Sequence, residues 1–383
     1  IHARAVELLM GLSTEFPDNL NYKFEIARHI TGANSGYGSG GGRAYALALR
    51  KSVALLEEIR QIDPTQREWA LLHANNLTIL GYHSFSEDDE GTRFHEQAIN
   101  ICTARLAVAP TDYDVRLIGM QLREYRARIA AEKHHDWQAG VDASLMGIAF
   151  FKELREKRKG WTEGLDALCT NFHRGAACYW KLEQTERSIE ILLDGDETLT
   201  KALIQFPNFA ELRYFHFCIV LRHAHILWMT DRPKAGAVYL RAQSLADALL
   251  IRSPARLLEV GTLLMGCPLP EMREFALAGS SEFFDAAKGN PRSLALYWLA
   301  HGKYTKARDV ISKWREETAS TWDAASVNRV DLIEIKCAVS QGDLRFARER
   351  FEAIKSFSIT ELDLCIEHEL LKREVAELLE QQK

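Results

Sequence analysis

The chain has 383 residues, of which 47% are hydrophobic and 26% are charged, and its formal net charge is -5 at pH 7. Proteins that bind nucleic acid generally need an excess of positive charge to displace counterions, so nucleic acid is not expected as a partner. No apolar run approaches the length that crosses a bilayer, and the N-terminus has no basic-then-apolar signal pattern. The composition therefore predicts an ordered, soluble protein without membrane insertion in this chain.

The seven cysteines are spread over the whole chain and form no C-x-x-C pair. An odd and dispersed set favours unpaired thiols in a reducing compartment over a disulfide framework or a zinc site. We therefore expect a cytoplasmic protein. The chain begins at Ile1 and not at a methionine, and we expect further sequence to precede it.

Helical periodicity begins in the first segment of the chain. Apolar residues recur at intervals of three and four in residues 5–16 and again in residues 52–62, whereas runs of alternating polarity are nearly absent. Leucine and alanine, which are good helix formers, dominate these segments. The sequence thus predicts an all-α protein.

A glycine-rich stretch, residues 31–45, separates two segments with a helical pattern. Its Gly36, Gly38 and Gly41 have the spacing of a nucleotide-binding loop. Such a loop binds phosphate when a β-strand precedes it and a helix N-terminus follows it, and no strand precedes this one. The stretch also lacks the Lys-Ser/Thr end of a P-loop. We therefore expect a turn between helices here, and no cofactor.

Five prolines that follow predicted helices recur at a nearly constant interval. They are Pro17, Pro64, Pro110, Pro207 and Pro254, at spacings of 47, 46, 97 and 47 residues, and 97 is close to two periods. An interval of this length is typical of a repeat built from a pair of helices.

Fixed offsets from these prolines carry similar residues. A small residue stands twelve positions before each proline, at Ala5, Ser52, Ala98, Gly195 and Ala242, with Gly147 in the interval that lacks a proline. An apolar or near-apolar residue stands eight positions before, at Leu9, Leu56, Cys102, Leu199 and Ala246, with Phe151 in the same interval. A small residue lets two antiparallel helices approach closely, and an apolar one fills the groove between them. We therefore predict a right-handed α-solenoid of antiparallel helix pairs.

Two C-terminal segments, residues 300–314 and 340–354, share a further pattern. Each has a turn glycine followed by apolar or small residues two, five, nine and twelve positions later, at Gly302, Tyr304, Ala307, Ile311 and Trp314 and at Gly342, Leu344, Ala347, Phe351 and Ile354. This pattern resembles the second helix of a tetratricopeptide repeat (TPR). The resemblance implies a TPR-like solenoid. Long repeats of about 47 residues would occupy residues 1–265, continuous with more typical repeats and a C-terminal helix over residues 266–383.

A narrower resemblance lies at the N-terminus. Residues 5–30 are similar to the helical-repeat regions that follow the kinase domain in a group of bacterial serine/threonine protein kinases, which share an FPD…Y…LA phrase. The residues that match this phrase are Phe16, Pro17, Asp18, Tyr22 and Ala27. The resemblance implies a signalling role and a catalytic domain that precedes Ile1. The kinase signatures H-R-D and D-F-G are absent from the chain itself.

The histidine-rich segments give weak support for a metal site. Residues 134–137, with the sequence HHDW, lie between predicted helices without a second ligand set at a recognisable spacing. His216, His223 and His225 lie on one predicted helix, but neither His216 nor His225 is placed to share an ion with His223. We expect a solvated loop, packed or capping histidines, and no metal.

These patterns together predict a protein-recognition module with no catalysis in this chain. In a helical-repeat array the first helix of each pair lines the concave face, where aromatic residues are candidates to contact a protein or peptide segment. The candidates are Tyr22, Trp69, Tyr125 and Tyr214. The alternative is that the chain is the regulatory or sensor region of a bacterial serine/threonine kinase, so that the longer protein would be an enzyme.

Overall fold

A computed structural model of the chain describes residues 2–34, 42–83, 90–157, 164–278, 280–318, 324–354 and 365–382. Over these ranges the chain forms nineteen α-helices and one short 3-10 helix, without a β-strand. The predicted all-α class is therefore confirmed. No helix in the same ranges is both long and apolar enough to cross a membrane.

The helices are named here in chain order. They are α1 (His2–Glu15), α2 (Leu20–Asn34), α3 (Gly42–Ile62), α4 (Arg67–His83), α5 (Glu90–Val108), α6 (Tyr113–His134), α7 (Trp137–Lys157), α8 (Leu165–Lys181), α9 (Thr185–Gln205), α10 (Ala210–Thr230), α11 (Arg232–Arg252), α12 (Leu257–Met265), α13 (Pro270–Ala278), α14 (Ser280–Ala287), α15 (Pro291–Ala300), α16 (Tyr304–Thr318), α17 (Ala324–Ser340), α18 (Leu344–Ile354) and α19 (Cys365–Gln381). The 3-10 helix covers Pro254–Arg256.

The chain divides into two compact units, Ile1–Ile129 and Ala130–Lys383. In the first unit each of α1 to α4 packs against the helix that follows it, and the same holds for α7 to α10 in the second unit. Packing between sequence neighbours is the contact pattern of stacked helix pairs. The predicted repeat lengths, and the predicted change of repeat type after residue 265, stay predictions.

The five prolines terminate helices as predicted. Each stands two residues after the end of a helix, with α1, α3, α5, α9 and α11 ending at Glu15, Ile62, Val108, Gln205 and Arg252. Proline lacks a backbone N–H and disfavours helical geometry in the residue before it, which explains the stop. After Pro254 the long helices give way to the short α12 to α15, and Pro270 and Pro291 are the first residues of two of these.

The small-residue positions in α3, α5, α7, α9 and α11 are buried at contacts between helices. They are Ser52, Ala98, Gly147, Gly195 and Ala242. A Cβ added to Gly147 would lie 2.6 Å from the Asn171 amide group, and one added to Gly195 would lie 3.0 Å from Cγ of Phe172. Gly147 and Gly195 must stay small because α8 approaches α7 and α9 closely there.

The apolar positions one turn later are also buried. Leu56, Cys102, Phe151, Leu199 and Ala246 are all at most 4% exposed. Leu9, in α1, is only half-buried. The two sets of positions read from the sequence thus identify the buried faces of α3, α5, α7, α9 and α11.

Enlarging a buried small residue should destabilise the protein. We expect Ala98→Leu and Ala242→Leu each to lower the free energy of unfolding by about 1–3 kcal/mol, because both alanines are fully buried and have no room for three more carbons. Ala104→Leu and Ala237→Leu are matched controls on the exposed faces of the same helices. Thermal or denaturant unfolding measures all four. Equal effects in the two pairs would show that these small positions are not close helix contacts.

The turn glycines of the TPR-like segments adopt the backbone that the pattern requires. Gly302 has φ 68° and Gly342 has φ 77°, in the left-handed region that favours glycine. The N–H groups of Gly302 and Lys303 bond to the carbonyls of Leu299 and Trp298 at 3.0 and 2.8 Å. This is a Schellman ending, and it is repeated at Gly342. Ala307 and Ala347, five residues after each glycine, are fully buried.

Several apolar side chains of the first helix are exposed. Leu8, Met10 and Leu12 of α1, and Phe16 just after it, are between 37% and 58% exposed. Helix α1 packs against α2.

Because α1 has so little burial, we expect it to open locally well below the free energy of global unfolding. Backbone amides of residues 2–15 should exchange with solvent faster than those of Ser188 to Ile204 in α9, where seven residues are buried. Hydrogen exchange followed by mass spectrometry makes the comparison. Equal protection of the two segments would contradict this prediction.

Candidate protein-binding surface

Two of the predicted partner-binding residues lie in the first unit close to other aromatic rings. Tyr22 of α2 is half-buried, and its ring centroid is 6.3 Å from that of Phe16. Trp69 of α4 is only 7% exposed, and its ring is 6.3 Å from that of Phe24. Trp69 therefore contributes mainly to the core, whereas Tyr22 is partly accessible.

The other two predicted residues are also half-buried. Tyr125 of α6 stacks on His95, with ring centroids 5.8 Å apart. Tyr214 of α10 lies under the guanidinium of Arg256, at 4.7 Å. Each of the four residues thus has its own neighbours, and their role in binding a partner stays a prediction.

A surface that the sequence analysis missed is formed in the second unit, where the C-terminal helix α19 packs against α8, α10 and α17. We call this surface the α19 groove and define it by the side chains that contact α19 through charge. They are Trp180 of α8, Arg222 of α10, Arg232 of α11, Arg273 of α13 and Lys336 of α17. Two of the helices that form it, α8 and α10, have even numbers. The predicted aromatic residues also lie in even-numbered helices, namely α2, α4, α6 and α10.

The start of α19 is enclosed on nearly all sides. Cys365, Ile366, His368 and Leu370 are at most 4% exposed, and the side chain of Glu367 is 18% exposed. Successive residues of an α-helix point about 100° apart, so these five residues cover the whole circumference. Further along, Val375 and Leu379 pack with apolar residues of α17. The helix is therefore inserted into a groove at its first turns and lies on a surface at its end.

One nearly buried ion pair fixes the inserted end. Nη2 of Arg222 donates to Oε1 of Glu367 at 2.9 Å, and the Arg222 side chain is 5% exposed. Burial is the largest single influence and would raise the pKa of the Glu367 carboxyl. The charges of Arg222 and His225, together with hydrogen bonds from Arg222 and from the backbone, outweigh burial and lower the pKa to about 2. Glu367 is therefore ionised in the groove at neutral pH.

A second ion pair lies one heptad further along α19. Nζ of Lys336 donates to Oε2 of Glu374 at 2.8 Å, with both side chains at most 12% exposed. Arg273 lies 3.7 Å from the other oxygen of Glu374. Glu374 is thus held between cations from two helices, α13 and α17.

The remaining contacts set the direction of α19. Arg232 forms an ion pair with Glu377 and Arg373 donates to the carbonyl of Met229 at 3.2 Å, while the Arg373 guanidinium lies 5.6 Å from the Trp180 ring. The sequence separations of the pairs Arg222–Glu367, Met229–Arg373 and Arg232–Glu377 are 145, 144 and 145. Since the separation is constant, α19 runs alongside α10 in the same direction.

Acid should weaken the attachment of α19. The pKa of Glu367 is lower in the folded chain than the value of about 4.3 in an unfolded one. Its contribution to stability is therefore present above about pH 4.3 and is lost as the pH falls toward about 2. Over this window we expect the free energy of unfolding of the unchanged chain to fall by about 2–3 kcal/mol more than that of Glu367→Gln. Denaturant unfolding at several pH values measures the difference. Parallel curves for the two proteins would contradict the assignment.

Comparisons with known proteins do not place the chain in a family. No protein-family model matches it, and a search of curated proteins found no significant match. The resemblances to TPR proteins and to the helical regions of bacterial kinases stay predictions.

A cysteine and a histidine lie next to each other under the α19 groove. Sγ of Cys267 is 3.6 Å from Nε2 of His225, and the two residues are 0% and 3% exposed. Burial raises the pKa of the Cys267 thiol and lowers the pKa of His225 to about 4. A nucleophilic cysteine requires a thiolate, and both groups here are neutral at pH 7. The pair is packed in the core and does not resemble an activated nucleophile.

The histidine segments lie at the junction of α6 and α7 and within α10. His134 is the exposed last residue of α6, and His135 and Asp136 are exposed between α6 and α7. The Asp136 carboxylate accepts from the Ala139 N–H at 3.0 Å. His216 and His225 are buried, and Nε2 of His216 is 2.7 Å from Oδ1 of Asp196. Among the described residues no group of three metal-ligating side chains comes together. The central glycines of the 31–45 stretch, residues 35–41, lie outside the described residues.

Proposed function

We propose that this chain is a right-handed, TPR-like α-solenoid that recognises a protein or peptide segment and does not itself catalyse a reaction. Three features support the repeat: helices that end two residues before regularly spaced prolines, buried small residues at a fixed offset from them, and Schellman endings at Gly302 and Gly342. Stacked helix pairs of this kind present extended surfaces on which other segments bind.

The observation that carries the proposal is the position of α19. This helix uses Glu367 and Glu374 to reach cations on α10 and α17, and it buries Leu370, Val375 and Leu379. The second unit therefore has a surface that accommodates an amphipathic helix, which is a general mode of peptide recognition. A partner segment on the equivalent helices would be recognised in the same way.

All seven cysteines lie in described helices or next to them, and none forms a disulfide. Six of the thiols are buried. We propose that the protein functions in a reducing compartment such as the cytoplasm.

The proposal is tested by selecting binders from a displayed peptide library with the whole chain as bait. The half-buried tyrosines of the first helices are then changed one at a time, as Tyr22→Ala, Tyr125→Ala and Tyr214→Ala. We expect at least one of these changes to weaken a selected peptide by about tenfold, or about 1.4 kcal/mol. Leu47→Ala and Leu240→Ala are controls with exposed apolar side chains on α3 and α11.

Trp69 is left unchanged in this test, because truncating a buried ring would destabilise the fold. If no peptide is enriched, or if only the Leu47 and Leu240 changes weaken binding, the proposed recognition by first helices is wrong.

A further inference from the structure

We infer that the α19 groove selects an acidic amphipathic helix of a partner protein, and that α19 is an internal competitor for that helix. This inference rests on the proposed function, because it names the partner class for one surface of the module. It is carried by the charge pattern of the groove and of α19.

The groove is basic where it contacts α19. It contributes Arg222, Arg232, Arg273 and Lys336, whereas α19 contributes Glu367, Glu374 and Glu377. Arg222 and Lys336 are at most 10% exposed, so they require a carboxylate close by. A neutral or basic helix would leave these cations desolvated and unpaired, and the groove would reject it.

The spacing of the glutamates defines the helix that fits. Glu367, Glu374 and Glu377 are separated by seven and then three residues, which places them on one side of a helix. Ile366, Leu370 and Val375 are buried beside them. A partner helix therefore needs acidic residues at spacings of seven and three, with apolar residues next to them.

The contacts of α19 become more exposed toward its end. The side chains of Arg232 and Glu377 are 51% and 46% exposed, and Arg373 is 45% exposed. Exposed ion pairs contribute little to stability. The final turns of α19 are thus the place where a competing helix can begin to replace it, although an internal helix competes at a high effective concentration.

The test weakens the internal helix and supplies the same helix as a peptide. In the full chain, Glu374→Lys and Glu377→Lys are combined so that the groove repels α19. A fluorescent peptide of residues 365–381, with Cys365→Ser to prevent oxidation, is titrated and followed by anisotropy. We expect it to bind this variant about 100-fold more tightly than the unchanged chain, in which α19 occupies the groove.

The controls keep the total change in charge constant. Glu369→Lys with Glu380→Lys alters two glutamates of α19 for which the described residues show no ion pair with the groove. Glu369 pairs with Arg373 of α19 itself, and Glu380 is exposed. This chain should bind the peptide as weakly as the unchanged chain. A peptide that carries Glu374→Lys and Glu377→Lys should bind none of the three chains. The Lys336→Glu chain should prefer the peptide with Glu374→Lys alone over the original one.

Each of the following outcomes would overturn the inference. If the Glu374→Lys, Glu377→Lys chain loses its cooperative unfolding transition, α19 is a structural part of the core. If the chain folds and no peptide binds, the groove does not select acidic helices; library peptides that bind through Tyr22, Tyr125 or Tyr214 would still support the proposed function. If the variant forms dimers that exchange α19, the occupant is a second copy of this chain.

Discussion

Arg222→Met is expected to lower the free energy of unfolding by about 3–5 kcal/mol. The change keeps most of the side-chain volume but removes the cation beside Glu367, whose carboxylate lies in a nearly enclosed position. An uncompensated buried charge is far more costly than the loss of the pair as a whole. Denaturant unfolding monitored by circular dichroism gives the value.

The matched variant removes both partners. We expect Arg222→Met combined with Glu367→Leu to recover at least half of the loss, because neither charge then remains unpaired. The single variants Arg222→Met and Glu367→Leu are measured as well. If the double variant loses as much free energy of unfolding as the two single variants together, the two side chains act independently and the pair does not hold α19.

Phe172→Ala is expected to lower the free energy of unfolding by about 3–5 kcal/mol, since Phe172 is fully buried in α8 and its removal leaves a cavity. Gly195→Leu is expected to cost about 1–3 kcal/mol for the opposite reason. A Cβ on Gly195 would lie 3.0 Å from Cγ of Phe172 and 3.1 Å from Cδ1 of Ile219. Thermal unfolding with a denaturant series measures both changes.

Because the two changes affect the same space, they should compensate each other. In Phe172→Ala with Gly195→Leu, the new leucine can enter the volume that the ring leaves, so the combined loss should be smaller than the sum. Gly236→Leu is the control, since a Cβ there has no atom within 4 Å, and a helical glycine is replaced by a better helix former. Strict additivity would mean that Gly195 and Phe172 do not contact each other.

The positions read from the sequence were informative where packing is between neighbours. Ala98, Gly195 and Ala242 could be identified because each lies at a fixed distance before a proline that follows its helix. Each is buried in a helix that packs against its neighbour in sequence. The turn glycines at 302 and 342 could be identified because few other residues adopt positive φ. Both signals depend on short separations along the chain.

The α19 groove could not be found in this way. Arg222 and Glu367 are 145 residues apart, and a repeat pattern carries no information on which distant helix returns to a surface. The glutamates of α19 form a regular pattern, but the same pattern is typical of a solvated helix face. What decides between the two is the position of the cations, which only the fold reveals.

Trp69 illustrates a second limit of the sequence. Trp69 and Tyr22 are both aromatic residues in corresponding helices, so the sequence treats them alike. In the structure Trp69 is buried beside Phe24, whereas Tyr22 is half-buried. Aromatic residues are used both in cores and in interfaces. Helical periodicity predicts only approximately on which face of a helix a residue lies. A shift of one position along the helix turns a side chain by about 100°, which is enough to change its exposure.

Labelling of the buried thiols reports when parts of the structure open. Cys365, at the start of α19, is 2% exposed, while Cys337 of α17 is fully buried and burial raises its pKa to about 12. An alkylating reagent can modify either side chain only during an excursion that uncovers it. The ratio of the two labelling rates therefore separates departures of α19 from excursions of the whole unit, without any substitution in the protein.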